Sequence, residues 1–392
     1  MRFLHTSDWH VGKPLKNVKR DDEYHDALVE VLDIAKREKV DAVLVAGDVF
    51  DSVKPPPEAE RTVFEFFREL VGANIPAVLI AGNHDNSRRL HAYSRILDLV
   101  SVHVRSEPTL DGGDLIVEIP SRNREETAVI AALPWVSEKK VQDFESLGSA
   151  VRFQQYADGL AAAMNFLATN FRPDAVNILM AHILLDDSKI ADVDRGEREL
   201  HTGIAYTVPR QRLPASAQYT ALGHVHMPQD FPLANAAYCG SLLQVDFGEA
   251  GQKKGVNIVD VSPHQKAEVE KIPLGSIRQL RNIGSYAAGV TLTEIEAMAG
   301  QVPEDYVKVF VRVDQPVPGL NQAVRDLLPN VVQVQVLRPE ASDSPRSAEI
   351  SSASPPEQFA DYYRAQHDGN DPPADLLGLF DELMEEVTNA TG

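Results

Sequence analysis

Apolar stretches that each run straight into a polar, glycine-bearing motif constrain this chain most. Arg2 to Thr6 leads to Asp8-Trp9-His10, and Asp41 to Ala46 leads to Gly47-Asp48-Val49-Phe50-Asp51. Pro76 to Ala81 leads to Gly82-Asn83-His84-Asp85, Val176 to Ala181 to His182, and Tyr219 to Leu222 to Gly223-His224-Val225-His226. Short continuous apolar runs are the signature of strands buried on both faces, as in parallel sheets covered by other layers. Between them, Asp22 to Lys39 and Glu58 to Val71 carry helical spacing, the second started by Pro55-Pro56-Pro57. Strand-helix alternation predicts an α/β fold, and in such folds ligands gather beyond the carboxyl ends of the strands. All five motifs can therefore converge on one site. Glycines 47, 82 and 223 permit the sharp exits.

Beyond Pro263 the pattern changes. A helix over Leu292 to Met298, an alternating strand over Tyr306 to Val313, a helix over Leu320 to Leu328 and a strand over Val331 to Val336 predict a small α+β unit. The expected boundaries are a main domain over 1–275, an α+β capping domain over 276–338, a Ser/Pro/Glu-rich linker over 339–356 and a helical tail over 357–392. In the tail, Phe359, Tyr362 and Tyr363 share one face, and Leu376, Phe380, Leu383 and Val387 form a stripe. Helices this short cannot bury such stripes alone, so they fold back or dock on a partner.

The bulk numbers exclude some functions. No apolar run approaches the ~20 residues of a membrane span. The chain enters its first motif at once, which leaves no room for a signal peptide, and its single cysteine, Cys239, fits a reducing cytoplasm. A net charge of −20 is opposite to that of a protein that grips DNA unaided.

The motif side chains are hard and borderline ligands: carboxylates, a carboxamide and imidazoles, with no thiolate. That mixture suits Mn²⁺, with Mg²⁺ as the alternative, better than structural Zn²⁺. Two such ions, roughly 3.5–4 Å apart, would clamp a phosphoester and activate water. One carboxylate must bridge them, and Asp48 is the natural choice. Each motif alone is a weak signal, because Asp-x-His or Gly-His-x-His occurs by chance. The ordered set at successive strand ends is specific.

The set resembles the calcineurin-like metallophosphoesterase superfamily. Three segments resemble its bacterial branch of double-strand-break nucleases: Phe3 to Gly12, Ala221 to Gln229, and Tyr238 to Glu249. The resemblance runs over nearly the whole chain. It implies a sandwich of two β-sheets flanked by helices. It implies Asp8, His10 and His226 on a first metal, Asn83, His182 and His224 on a second, and Asp48 between them. His84 is then a general acid rather than a ligand, with Asp85 orienting it. The archaeal and eukaryotic branch has His where Asp51 stands, so that residue's role is not carried over. The resemblance further implies a nuclease that is 3′→5′ exonucleolytic on duplex DNA, endonucleolytic on single strands and able to open hairpins. It implies a coiled-coil ATPase bound through 357–392, a homodimer within a heterotetramer, and a cytoplasmic, nucleoid-associated place. A phosphoesterase for a small phosphodiester or a phosphoprotein is the alternative. A scaffold that has lost catalysis is a third reading, and it expects missing ligands. His5, Cys239 and Trp135 are expected in the core, and His25, His91, His103, His201, His264 and His367 outside the site.

Overall fold

The computed structural model describes residues 1–109, 113–137, 140, 156–190, 207–338, 359–360, 363–364 and 370–380. In chain order its first elements are β1 (Arg2–Thr6), α1 (Asp21–Arg37), β2 (Ala42–Ala46), α2 (Pro57–Gly72), β3 (Ala77–Ile80), α3 (Ser87–Leu97), β4 (Val102–Arg105), β5 (Ile116–Pro120), β6 (Thr127–Leu133), α4 (Tyr156–Ala168), β7 (Val176–His182), β8 (Leu184–Leu185) and β9 (Thr207–Val208). Then follow β10 (Tyr219–Gly223), β11 (Gln229–Phe231), β12 (Ala236–Tyr238), β13 (Gly255–Asp260), β14 (Glu268–Pro273), β15 (Leu280–Ile283), α5 (Leu292–Met298), β16 (Tyr306–Arg312), α6 (Leu320–Leu327) and β17 (Val331–Leu337).

Two six-stranded sheets form the body, in the orders β14-β13-β1-β2-β3-β4 and β11-β12-β10-β7-β6-β5. In the first, β1 to β4 are parallel, and β13 and β14 are antiparallel additions on the β1 side. The parallel centre of the second is β6, β7, β10 and β12. Period-two alternation decides the layers. Ala42, Leu44 and Ala46 meet Ile130, Ile178, Met180 and Ala221 between the sheets. Val43 and Val45 face the other way, onto Val31, Ile34, Phe66 and Phe67 of α1 and α2. On the far face of the second sheet, Leu179, Ala181 and Leu222 pack under Leu160, Met164 and Leu167 of α4. The two sheets thus lie between helices, and their central strands are buried on both sides. That explains the unbroken apolar runs.

The later segment builds a separate parallel sheet, β15-β16-β17. Helix α5 starts with a reciprocal cap: Thr291 accepts from the Glu294 amide while Glu294 accepts from the Thr291 amide. Ile295 and Val324 pack on Val307, Val309 and Val311 to give this sheet its own core. The alternation expected for the central strand is not realised: Tyr306 to Val311 are all buried, Lys308 included. A second seam, made by Leu15, Phe247, Leu280 and Tyr306, joins this sheet to the body.

Residues 1–338 form one compact unit and 339–392 another. In the second unit the Phe359 ring stacks on Phe380, with centroids 4.5 Å apart and planes at 10°. One apolar residue of each tail segment is therefore in contact, while Tyr362, Leu383 and Val387 lie outside the described residues. Residues 339–358, which include the whole of the expected linker, lie outside the described residues.

Candidate metal centre

The strand-end loops are knitted to one another. The Asp8 amide donates to the Gly47 carbonyl at 2.9 Å, and the His10 amide to the Asp48 carbonyl at 3.0 Å. Four of the motif residues sit in the left-handed region: Asp8 at φ 49°, His10 at 49°, Asp48 at 50° and His224 at 95°. A non-glycine residue pays of order 1–3 kcal/mol for such a conformation, so this backbone is held for the sake of where the side chains point. Two glycines make the approach possible. A β-carbon on Gly82 would lie 2.0 Å from Asp48 Oδ1, and one on Gly223 would lie 1.8 Å from the Ala46 carbonyl oxygen.

The donor atoms gather at the centre of these loops. Asp48 Oδ2 lies 3.6 Å from His10 Nε2 and 3.3 Å from His182 Nε2, so one carboxylate oxygen faces an imidazole on each side. On one side His10 Nε2 and His226 Nε2 are 3.0 Å apart. On the other, Asn83 Oδ1 lies 3.1 Å from His182 Nε2 and 3.0 Å from His224 Nδ1. Ligand atoms of Asp8, His10 and His226, of Asp8, Asp48 and His182, and of His10, Asp48 and His84 all lie within 4.8 Å of one another in each group. Buried imidazole nitrogens and carboxylate oxygens aimed at common points are what divalent cations require. The sequence-expected ligands are thus brought together around Asp48, with Asp8 near both His226 and His182 and with His84 within reach of Asp48, and the donor chemistry fits divalent ions.

Charge is distributed accordingly. Burial alone would push the Asp48 carboxyl up, but His182, His10 and His84 outweigh it and hold it well below the usual carboxylate range. Burial opposes protonation of His182, yet Asp48 and then Asp8 carry it up to about 9. His224 is pushed down to about 3 by burial and by His182. The ligand rings are also oriented from behind. His182 Nδ1–H donates to the Ala46 carbonyl at 2.8 Å, which leaves Nε2 as the donor atom. His226 Nδ1–H donates to Glu249 Oε1 at 2.8 Å. Ser7 Oγ donates to Asp8 Oδ2.

His84 stands beside this cluster, half-buried, its ring edge-on to His10 at 4.8 Å. Its amide donates to Asp48 Oδ1 at 2.9 Å. The expectation that Asp85 orients it is corrected by the geometry. Asp85 turns away and accepts the amides of Gly82, Phe50 and Val49 at 2.9, 3.0 and 3.2 Å. It braces two loops from inside, and burial and Asp48 push it up to about 6. The group that fixes the His84 ring is the Asp51 carbonyl, which accepts from Nδ1–H at 2.9 Å.

Trp135 is not simply core. It is half-exposed and stacked on the His224 ring at 5.2 Å and 26°, and so walls the second ligand set. Neither Trp135 nor Glu249 is singled out for such a role by sequence reasoning. Glu249 lies within a family-like segment, but its partner is 23 positions earlier. The other assignments hold where they are described. His5 is buried against Tyr219, Cys239 is buried, His25, His91 and His264 are exposed, and His103 pairs with Asp98. His201 and His367 lie outside the described residues.

Comparison with known proteins agrees with this geometry. The profile of the calcineurin-like phosphoesterase family matches residues 1–228. A second profile, SbcD_C, described as the type 5 capsule protein repressor C-terminal domain, matches residues 277–367. The SbcD component of the SbcCD nuclease of Bacillus subtilis is 33% identical over 395 residues, covering 99% of this chain and 98% of that protein. The corresponding proteins from Rhodobacter capsulatus and Escherichia coli are 31% and 26% identical over 277 and 363 residues. They cover 67% and 90% of this chain, and 67% and 88% of their own lengths.

Proposed function

Because the chain belongs to the calcineurin-like phosphoesterases, and within them to the SbcD nucleases, we propose that it is the cutting subunit of an SbcCD-type complex and hydrolyses DNA phosphodiesters at a two-metal centre. The observation that carries this reading is Asp48 Oδ2, flanked by His10 Nε2 at 3.6 Å and His182 Nε2 at 3.3 Å, with His84 tethered alongside by the Asp51 carbonyl. Asp8, His10, Asp48 and His226 would hold one cation, and Asp48, Asn83, His182 and His224 the other. Such a pair supplies Lewis-acid charge and activates water. Mn²⁺ is the favoured ion and Mg²⁺ the alternative, because the set mixes imidazoles with hard oxygens.

The chain's own residues do the rest. Asp48 is held by the His84 amide and by two imidazoles, so it spans both sets in one fixed orientation. His84, with Nδ1–H committed to the Asp51 carbonyl, can give a proton from Nε2 to the departing oxygen when the ring is doubly protonated, and it is left as the neutral Nδ1–H form. Trp135 keeps water from one flank of the His224 ring. The activities we assign are 3′→5′ exonuclease on duplex ends, endonuclease on single strands and hairpin opening. Docking of 357–392 on an SbcC-type coiled-coil ATPase, in a heterotetramer built on a homodimer of this chain, accounts for the net charge of −20. This subunit cuts, and the assembly supplies most of the phosphate-binding cations. Its place is then the cytoplasm, at the nucleoid. None of the helices among the described residues is long and apolar enough to cross a membrane.

Purified protein should show Mn²⁺-dependent cleavage of hairpin DNA. His84→Ala should lower it by roughly 10²–10⁴-fold with both ions still bound. Full activity in that variant would remove the general-acid role, and hydrolysis of an aryl phosphodiester without DNA cleavage would favour a small substrate. Deletion of 357–392 should abolish co-purification with the ATPase. A complex that survives the truncation refutes the dock.

A further inference from the structure

We propose that Glu249, and more weakly Asp51, are positioning residues that make the cation site of Asp8, His10 and His226 the tighter of the two. The inference rests on the ligand assignment above and concerns the groups behind the ligands.

Behind His226 lies a buried ion pair that touches no reacting atom. Glu249 Oε1 accepts from His226 Nδ1–H at 2.8 Å, and Glu249 Oε2 lies 2.7 Å from Lys254 Nζ. The Ser241 hydroxyl and the Val245 amide also donate to Oε2, at 3.3 and 3.1 Å. Lys254 Nζ returns to the same histidine and donates to its backbone carbonyl at 2.8 Å. The pair therefore grips His226 at both ring and main chain. The Glu249 and Lys254 side chains are 4% and 0% exposed. Burying two charges is costly even when they pair, so a hydrophobic pair would serve stability at least as well. What a hydrophobic pair would not do is fix the tautomer and plane of His226 and strengthen Nε2 as a donor.

His10 has a looser copy of the same arrangement. Its Nδ1 lies 3.4 Å from Asp51 Oδ1, which itself lies 2.9 Å from Lys13 Nζ. That distance is long for a hydrogen bond, and the Asp51 side chain is 25% exposed, so its hold should be weaker. The other ligand set is built differently. His182 is backed by the neutral Ala46 carbonyl, and Asn83 brings no charge. One site thus has its own carboxylate ligand and carboxylates behind both histidines. Its neighbour shares Asp48 and has Asp8 within 4.8 Å of His182, but among the described residues no carboxylate stands behind either of its histidines.

The test is calorimetric titration of the full-length, chelator-stripped protein with MnCl₂, with low-temperature electron paramagnetic resonance to count isolated and coupled ions. Wild type should fill in two steps. Asn83→Ala should remove only the weaker step, which assigns the tighter one. Glu249→Gln should weaken the tight step by about 10–100-fold and leave the weak step nearly unchanged. Asp51→Asn should weaken the same step by a smaller factor. Glu249→Gln leaves Lys254 without its counter-charge and risks the fold. The double variant Glu249→Gln with Lys254→Gln removes that hazard and should show the same selective loss. Two steps of equal affinity, or a Glu249→Gln variant that weakens both steps or neither, overturn the proposal. Wild-type protein that takes up fewer than two ions overturns the ligand assignment itself.

Discussion

Gly82→Ala tests how tightly the bridging carboxylate is held. A β-carbon at this position would lie 2.0 Å from Asp48 Oδ1, 2.4 Å from the Asp48 amide nitrogen and 2.6 Å from Asp48 Cγ. Ordinary contact, at 3.4 Å or more, requires the carboxylate oxygen to retreat by about 1.4 Å, and a misplacement of even about 1 Å at a catalytic group is worth roughly 10²-fold in rate. The amide nitrogen cannot retreat by a rotamer change, because Asp48 is already at φ 50° and its carbonyl is bonded to the His10 amide. The methyl therefore also strains the loop, at about 1–3 kcal/mol, as overpacking usually does. Oδ1 accepts the His84 amide, so His84 should shift with it. The assay is kcat on a hairpin substrate at saturating Mn²⁺, with thermal unfolding of the same sample. The expected result is a rate loss near 10²-fold and a Tm lowered by several degrees. Gly72→Ala, at the end of α2 with nothing within 4 Å of its β-carbon, is the control and should be neutral or slightly stabilising. Wild-type rate and Tm in Gly82→Ala would refute the claim that close packing clamps Asp48.

Two other perturbations follow from the same geometry. Burial opposes ionisation of Glu249, but Lys254 and His226 outweigh it and hold it down at about 2, below its ordinary value near 4.5. A depressed folded-state value contributes stability above the unfolded value, lost as pH falls from about 4.5 toward 2. The shift is worth on the order of 3 kcal/mol. Urea unfolding of metal-free protein across that window should show the loss, Glu249→Gln should lack this component, and identical pH slopes in both would contradict the assignment. Trp135→Ala removes the ring stacked on His224, so the rise in Tm on adding Mn²⁺ should shrink relative to wild type while the metal-free unfolding free energy falls by less than about 2 kcal/mol. An unchanged metal-induced rise would leave Trp135 a packing residue only.

The site was legible from sequence because its strands are covered on both faces. Such strands must be apolar throughout, so the first polar residue marks the strand end, and there the ligands stand. For the same reason β2, β3, β7 and β10 were placed within one or two residues of Ala42–Ala46, Ala77–Ile80, Val176–His182 and Tyr219–Gly223. The edge strands β11 and β14 carry no such run; the residues of β14 are mostly exposed. The orienting role that the resemblance implies for Asp85 is not realised here. Successive side chains in a tight loop diverge, and unsatisfied amides at the strand ends captured the carboxylate instead. Glu249, Lys254 and Trp135 act through contacts across the fold, which no local spacing announces. Lys308 broke the alternation of its strand because its ammonium lies 4.6 Å from the centre of the Phe310 ring, and so is buried without facing the core.

The central claim is that Asp48 joins two cation sites and His84 belongs to neither. Anomalous scattering from a Mn²⁺-soaked crystal of this chain measures it directly. Two peaks are expected. One should lie among Asp8, His10, Asp48 and His226 and the other among Asp48, Asn83, His182 and His224, with His84 Nε2 outside bonding distance of both. A single peak, or a peak bonded to His84 in place of one of these histidines, would contradict the account.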